Sequence, residues 1–217
     1  MIKLLRSSIL AGIAIGFAGF GFLASGVQSE VYGSIFGAIL FSFGLLTVVG
    51  YKLKLYTGTA GFINKGEVGM LFLILLGNII GCLCSALVSR ISPMDIQGAA
   101  QNILELRLRT GALRCGLLGI GCGFMMTTSV RFAREKHYLP LLFAVPLFIV
   151  CGFTHCVADA FYYLCVPVAF LKAHAPKIKA IRPQASFLVW LDCREMNLSQ
   201  EALNDFFVDK AHLALND

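Results

Sequence analysis

The chain has 217 residues, of which 58% are hydrophobic and only 14% charged, with a mean hydropathy of +0.79; soluble domains carry about 25% charged residues. A water-soluble main body is therefore excluded, and an integral membrane protein is indicated. The formal charge of +6 does not point to nucleic acid, because Lys and Arg lie between or beside apolar runs instead of forming one basic patch.

Met1 to Arg6, with Lys3 and Arg6, precedes an apolar run from Ile9 and has the outline of a signal peptide. Ala24-Ser25-Gly26 is a weak cleavage site, however, and residues 7–27 are long enough to cross a bilayer, so this is the first span. Its Gly12, Gly16, Gly19, Gly21 and Gly26 let neighbouring helices approach closely in lipid. The second span, 31–63, is expected to be broken at Leu55-Tyr56-Thr57-Gly58, with Ala60 to Ile63 continuing as a half-helix. Non-helical backbone at membrane depth survives only where protein buries it or where it lines a cavity. The rival reading is an ordinary turn from Lys52 to Lys65, and the pattern alone leaves both open.

The third span is expected at about 68–88. The stretch from Ser92 to Arg109, with Pro93, Asp95, Glu105, Arg107 and Arg109, reads as an aqueous loop with room for a short surface helix. A glycine-rich fourth span follows at about 110–130, with Arg114 near its start placed to snorkel or to face a pore mouth. The fifth, about 138–164, is expected to break near Gly152 to His155. Lys3, Arg6, Lys52, Lys54, Lys65, Arg131, Arg134 and Lys136 fall on one side, against Arg90, Arg107 and Arg109 on the other. This predicts a multi-pass protein of the inner (plasma) membrane with a cytoplasmic amino terminus.

Beyond residue 165 charged residues multiply and no sixth span is expected. Residues 166–217 read as a soluble tail, an incomplete α/β domain. Ser186 to Leu191 is expected as a short strand, and Asn197 or Ser199 as the cap of a helix carrying Leu203, Phe206, Phe207 and Leu213.

The segment PLFIVCGFTHCVADA, Pro146 to Ala160, brings Thr154, His155 and Asp159 to membrane depth, where ionisable residues are costly and mark pathways. Two hydrophobic segments interrupted at corresponding places point to a site built on an inverted repeat, so His155 and Thr57 are expected to face one path. Against this stands a plain structural role: a neutral His155 bonded to a backbone carbonyl, with Asp159 one helical turn later as its partner. Cys82, Cys84, Cys115, Cys122, Cys151, Cys156 and Cys165 lie in or beside apolar segments, with Cys193 in the tail, and show no disulfide framework. Cys151, His155 and Cys156 lack the second ligand pair that a zinc site needs. No metal, no cofactor and no enzymatic activity are expected.

KLYTGTAG and CGFTHCVADAFYY together resemble the paired signatures, close to "LFTG" and "SGFEHSIADMFY", of the formate/nitrite transporter family. The resemblance covers about residues 7–165. It implies an all-helical, inverted-repeat channel assembled as a pentamer of six-span protomers, each passing small monovalent anions such as formate, nitrite or hydrosulfide, or their conjugate acids. It also implies that His155 is the central pore histidine and Thr57 the loop threonine, that Phe148 and Leu55 are apolar constriction residues, and that Tyr56 is a neighbouring aromatic. Thr154 departs from the usual acidic neighbour of the histidine, and Gly119 stands where some members have Asn.

The tail, RPQASFLVWLDCREMNLSQEALNDFFVDKAHLALND within about 169–217, resembles part of the small domain of a cystathionine-lyase-like pyridoxal-phosphate aminotransferase. It has no room for that enzyme's cofactor-binding domain, so no working enzyme is expected. A truncated or chimeric reading frame, joined near Tyr163 to Phe170 and leaving a five-span channel that assembles poorly, is the corresponding expectation. The alternatives from other classes are a water or neutral-solute channel of similar architecture and a structural membrane protein.

Overall fold

The computed structural model describes residues 1–29, 31–166, 179–181, 190–192 and 199. Among the described residues, four helices are long and apolar enough to cross a membrane: α1 (Ile2–Gln28), α2 (Gly33–Gly50), α4 (Val68–Ser89) and α6 (Ala112–Arg134). At 1.5 Å per residue they measure about 27 to 40 Å, which matches a hydrocarbon core of about 30 Å. Four shorter α-helices are described besides these: α3 (Tyr56–Ala60), α5 (Ile96–Thr110), α7 (Leu139–Val150) and α8 (Cys156–Cys165). At about 18 and 15 Å, α7 and α8 are each too short to cross, and together they make one interrupted span. α2 and α3 form the other. The order span, broken span, span (α1, α2/α3, α4) is then followed by span, broken span (α6, α7/α8), an inverted repeat whose counterpart to α4 is not among the described residues.

Small residues set the packing of the first half. A Cβ on Gly12 would run into the carbonyl of Asn78, and one on Gly81 into the carbonyl of Ile9. Backbones of α1 and α4 therefore meet directly, and Ser85 Oγ donates across the seam to Ile13 O at 3.1 Å. In lipid such contacts replace the hydrophobic drive that water supplies to soluble cores. Apolar side chains face outward as expected of a lipid-exposed surface: Leu113, Leu117, Ile120 and Phe124 of α6 are all exposed.

Two findings revise the sequence reading. The non-helical backbone of the first break runs from Tyr51 to Leu55, so Thr57 and Gly58 fall inside the half-helix, and α3 ends at Ala60 instead of extending over Ala60 to Ile63. The cause is the cap: Leu55 is extended (φ −99°, ψ 132°), and the Tyr56 N–H donates to Asn78 Oδ1 at 2.8 Å, which starts the helix one residue after Leu55. The stretch read as a loop with a short surface helix holds a 15-residue helix, α5 (Ile96–Thr110), capped by Asp95 accepting from Gly98 N at 2.9 Å.

In the tail, Lys179–Ile181 pairs antiparallel with Trp190–Asp192. The strand expected over Ser186 to Leu191 is described only from Trp190 onward. The expected helix beyond Asn197, and the expectation that no sixth span follows, lie outside the described residues apart from Ser199.

Candidate functional site

The two half-helices meet at their amino-terminal ends. Thr57, the second residue of α3, and His155, the N-cap of α8, are 98 residues apart in sequence, yet Thr57 Oγ1 and His155 Nε2 lie 3.1 Å from each other, and both residues are buried. His155 is extended (φ −125°, ψ 103°), and its Nδ1 accepts the Ala158 N–H at 3.1 Å. An accepting Nδ1 carries no hydrogen, so the neutral ring holds its proton on Nε2 and donates it to Thr57. The Thr57 hydroxyl hydrogen is then left to point elsewhere.

Around this bond the surface is apolar. Leu55 is 1% exposed and Phe148 3%; the Phe148 ring lies 5.7 Å from the imidazole, centroid to centroid. Phe41, unremarked in the sequence, completes the cluster at 6.4 Å from His155. Cavities open on both sides. One, of about 500 Å³, is bordered by Leu55, Gly58, Lys52, Lys54, Arg134 and Lys136. The other, of about 150 Å³, is bordered by Phe41, Phe148, His155, Arg107, Gly152 and Asp159.

Each break is held by one polar side chain that sequence reasoning missed. At the first, Asn78 Nδ2 donates to Ser8 O at 2.8 Å and to Lys54 O at 3.0 Å while its Oδ1 takes the Tyr56 N–H. At the second, Arg107 of α5 reaches Asp159 Oδ1 with Nε at 3.3 Å and Gly152 O with Nη1 at 3.4 Å. Asp159 is thus paired with Arg107, and the His155–Asp159 side-chain pairing weighed above is replaced by it. Gly152 has φ +69°, the left-handed conformation that glycine adopts without strain. Thr154 Oγ1 donates to Cys115 O at 2.6 Å. A Cβ on Gly119 would lie 3.3 Å from that hydroxyl, so the two departures from the resembled motifs are spatial neighbours. Tyr56 is half-buried and borders the adjoining groove of about 650 Å³ together with Thr57, Thr154 and Asp159. Arg114 is exposed. Among the described residues no group of three or more His, Cys, Asp or Glu is placed to hold a metal ion.

The sequence model of a family described as "Formate/nitrite transporter" matches residues 1–191. The chain belongs to the formate/nitrite transporter family. This match runs past residue 165, across the expected junction near Tyr163 to Phe170 and into the tail, and none of the comparisons supports the aminotransferase-like reading of that tail. Among solved structures, the chain resembles a "Pentameric formate channel with formate bound" at 22% identity and a TM-score of 0.67, covering 80% of each chain. It also resembles an "FNT family ion channel" at 18% identity and a TM-score of 0.64, covering 76% of this chain and 74% of that one. At these identities the likeness establishes a shared fold, that of the formate/nitrite transporter channels. No curated protein matches.

Proposed function

We propose that this formate/nitrite transporter family member passes small monovalent anions, or their conjugate acids, through a pore within each protomer, with formate, nitrite and hydrosulfide as the candidate permeants. The observation that carries the reading is the His155–Thr57 hydrogen bond, where two half-helices meet between two cavities. An anion entering the ring of Leu55, Phe41 and Phe148 loses its water, a heavy cost for an isolated charge. Thr57 O–H and His155 Nε2–H are two donors that offset it, and the amino terminus of α8 adds its own partial positive charge. Neutralising the permeant needs a proton. The ring takes one at Nδ1 from hydronium of the acidic solution, which becomes water, giving up the Ala158 bond, and hands the Nε2 proton to the anion, so that water, imidazole and conjugate acid are all neutral at the end. Phe148 and Leu55 act as the constriction, Tyr56 and Thr154 border it, and Asp159 sits at one mouth.

The arrangement is proposed to be a homopentamer of the plasma membrane, after the pentameric channel it resembles in fold, with the amino terminus cytoplasmic as the Lys and Arg distribution supports. The chain is read as a channel without enzymatic activity; absorbance of bound pyridoxal phosphate would revive an enzymatic reading of the tail.

Stopped-flow swelling of proteoliposomes tests this, with formate, nitrite and hydrosulfide compared at pH about 5.5 and about 7.5, on either side of the histidine range. Anion-dependent swelling is expected. Swelling with glycerol or water but with none of the anions would favour the neutral-solute channel instead.

A further inference from the structure

We infer that the Phe153 ring sets the length of weak acid that the cavity beside His155 admits, and that Gly121 of α6 sets where this ring stands. The inference rests on the anion-transport reading above and adds to it a residue that chooses among permeants by size.

The cavity that His155 borders measures about 150 Å³, against about 500 Å³ on the other side of the His155–Thr57 bond. A permeant is fitted more closely here. Phe41 and Phe148 stand beside the imidazole, while Phe153, half-buried and two residues before the histidine, borders the same cavity from the stretch between α7 and α8.

The backbone at Phe153 is fixed. Its N–H donates to Phe148 O at 3.0 Å, the Gly152 carbonyl before it accepts from Arg107 Nη1 at 3.4 Å, and Thr154 after it donates to Cys115 O at 2.6 Å. What is left free to move is the ring. On one side it lies against α6: a Cβ on Gly121 would fall 2.7 Å from Phe153 Cε2, 2.8 Å from Cζ and 3.1 Å from Cδ2, well inside the carbon–carbon contact distance of about 3.5 to 4.0 Å. All three are ring atoms, so a methyl there displaces a side chain and spares the backbone. Gly116 and Gly123 of the same helix have nothing within 4 Å of such a methyl. The demand for glycine is therefore particular to position 121.

A ring pushed off α6 moves towards the open space it borders, which is the cavity. A methyl on Gly121 shrinks that cavity, and loss of the Phe153 ring enlarges it. The two changes act in opposite directions on size selectivity, and neither removes a hydrogen bond that holds the second break, because Phe153 is tied by its main chain. One methylene in an apolar pocket separates substrates by about 10- to 200-fold, so formate, acetate and propionate make a sensitive ruler. A ring that only packed the break would change all three acids alike.

The test is proteoliposome swelling with formate, acetate and propionate in turn, at one pH, for wild type, Phe153→Leu, Gly121→Ala and the double variant. Phe153→Leu is expected to raise the propionate-to-formate flux ratio by roughly tenfold. Gly121→Ala is expected to lower it several-fold, with formate, the smallest acid, changing least. The double variant, in which the added methyl no longer meets a ring, is expected to recover from the Gly121→Ala ratio. A wild-type ratio in Phe153→Leu, or ratios that shift the same way in both single variants, would overturn the inference. Should Gly121→Ala fail to fold, the ratio in Phe153→Leu decides alone. Wild-type protein that swells with glycerol but with none of the three acids would instead overturn the anion-transport reading itself, and the inference with it.

Discussion

Phe41 meets Phe148 edge to face, with ring centroids 6.0 Å apart and planes at 83°, so α2 and α7 each contribute one aromatic ring beside His155, the two walls of the proposed constriction. This geometry is a favoured one for aromatic pairs. Shortening Phe41 to Ala removes one wall and leaves a cavity, at a cost of about 3 to 5 kcal/mol for a buried aromatic. The expected result is a lower unfolding midpoint in detergent together with faster passage of bulkier weak acids such as propionate relative to formate. Phe41→Ala liposomes that keep the wild-type size ranking would remove Phe41 from the constriction.

His155→Asn separates ring chemistry from helix capping, because Asn is itself a good N-cap and can accept the Ala158 N–H that Nδ1 accepts now. Acid-stimulated formate uptake should disappear while the protein stays folded. A variant that keeps the wild-type acid stimulation between pH about 5.5 and about 7.5 would end the proton-donor role.

Thr57→Val keeps the shape of the side chain and deletes its hydroxyl, the partner of His155 Nε2. A hydrogen bond to a charged group is worth about 1.5 to 3 kcal/mol, so anion flux should drop about tenfold or more. Flux measured by swelling at saturating formate checks this, and a change of less than about twofold would place Thr57 outside the path.

Asn78→Ala leaves the Tyr56 N–H and the Lys54 carbonyl without the side-chain partner each has now. Each buried polar group left unpaired costs about 1 to 3 kcal/mol. The variant should unfold at a markedly lower temperature by intrinsic fluorescence and lose flux, since Leu55 and Thr57 sit on the segment that Asn78 anchors.

Gly81→Ala and Gly21→Ala make a matched pair of opposite sign. A methyl at Gly81 strikes the Ile9 carbonyl, whereas nothing lies within 4 Å of one at Gly21. Overpacking costs about 1 to 3 kcal/mol, while alanine in an open helical position gains up to about 1 kcal/mol. Thermal unfolding of the two variants should move in opposite directions from wild type.

Much of this architecture was legible as apolar runs, and His155 and Thr57 stood out because polar residues at membrane depth are few. What the runs could not carry was partnership across the bundle. Asn78 was passed over inside an apolar stretch, although an amide in a span is itself a costly residue and a signal. Phe41 is one of 18 phenylalanines, and only the fold singles it out. Arg107 was assigned to water because its neighbours are polar. Yet Ile96, Ala100, Ile103 and Arg107 recur at intervals of four, three and four, one helical face, and Ile96 and Ala100 are fully buried. The start of α3 was misplaced for a related reason: its cap is a side chain 22 residues further along.

The 98 residues between Thr57 and His155 also set an order of events during synthesis. Helices α1 and α2, and α1 and α4, pack on one another within the first 89 residues, and the hydrogen bonds by which Asn78 ties down the backbone just before Thr57 are also made within them, whereas α3 packs as well against the later α6. The hydrogen-bond anchor of the threonine segment is thus encoded in the first half of the chain, and the histidine that Thr57 pairs with is encoded only in the second.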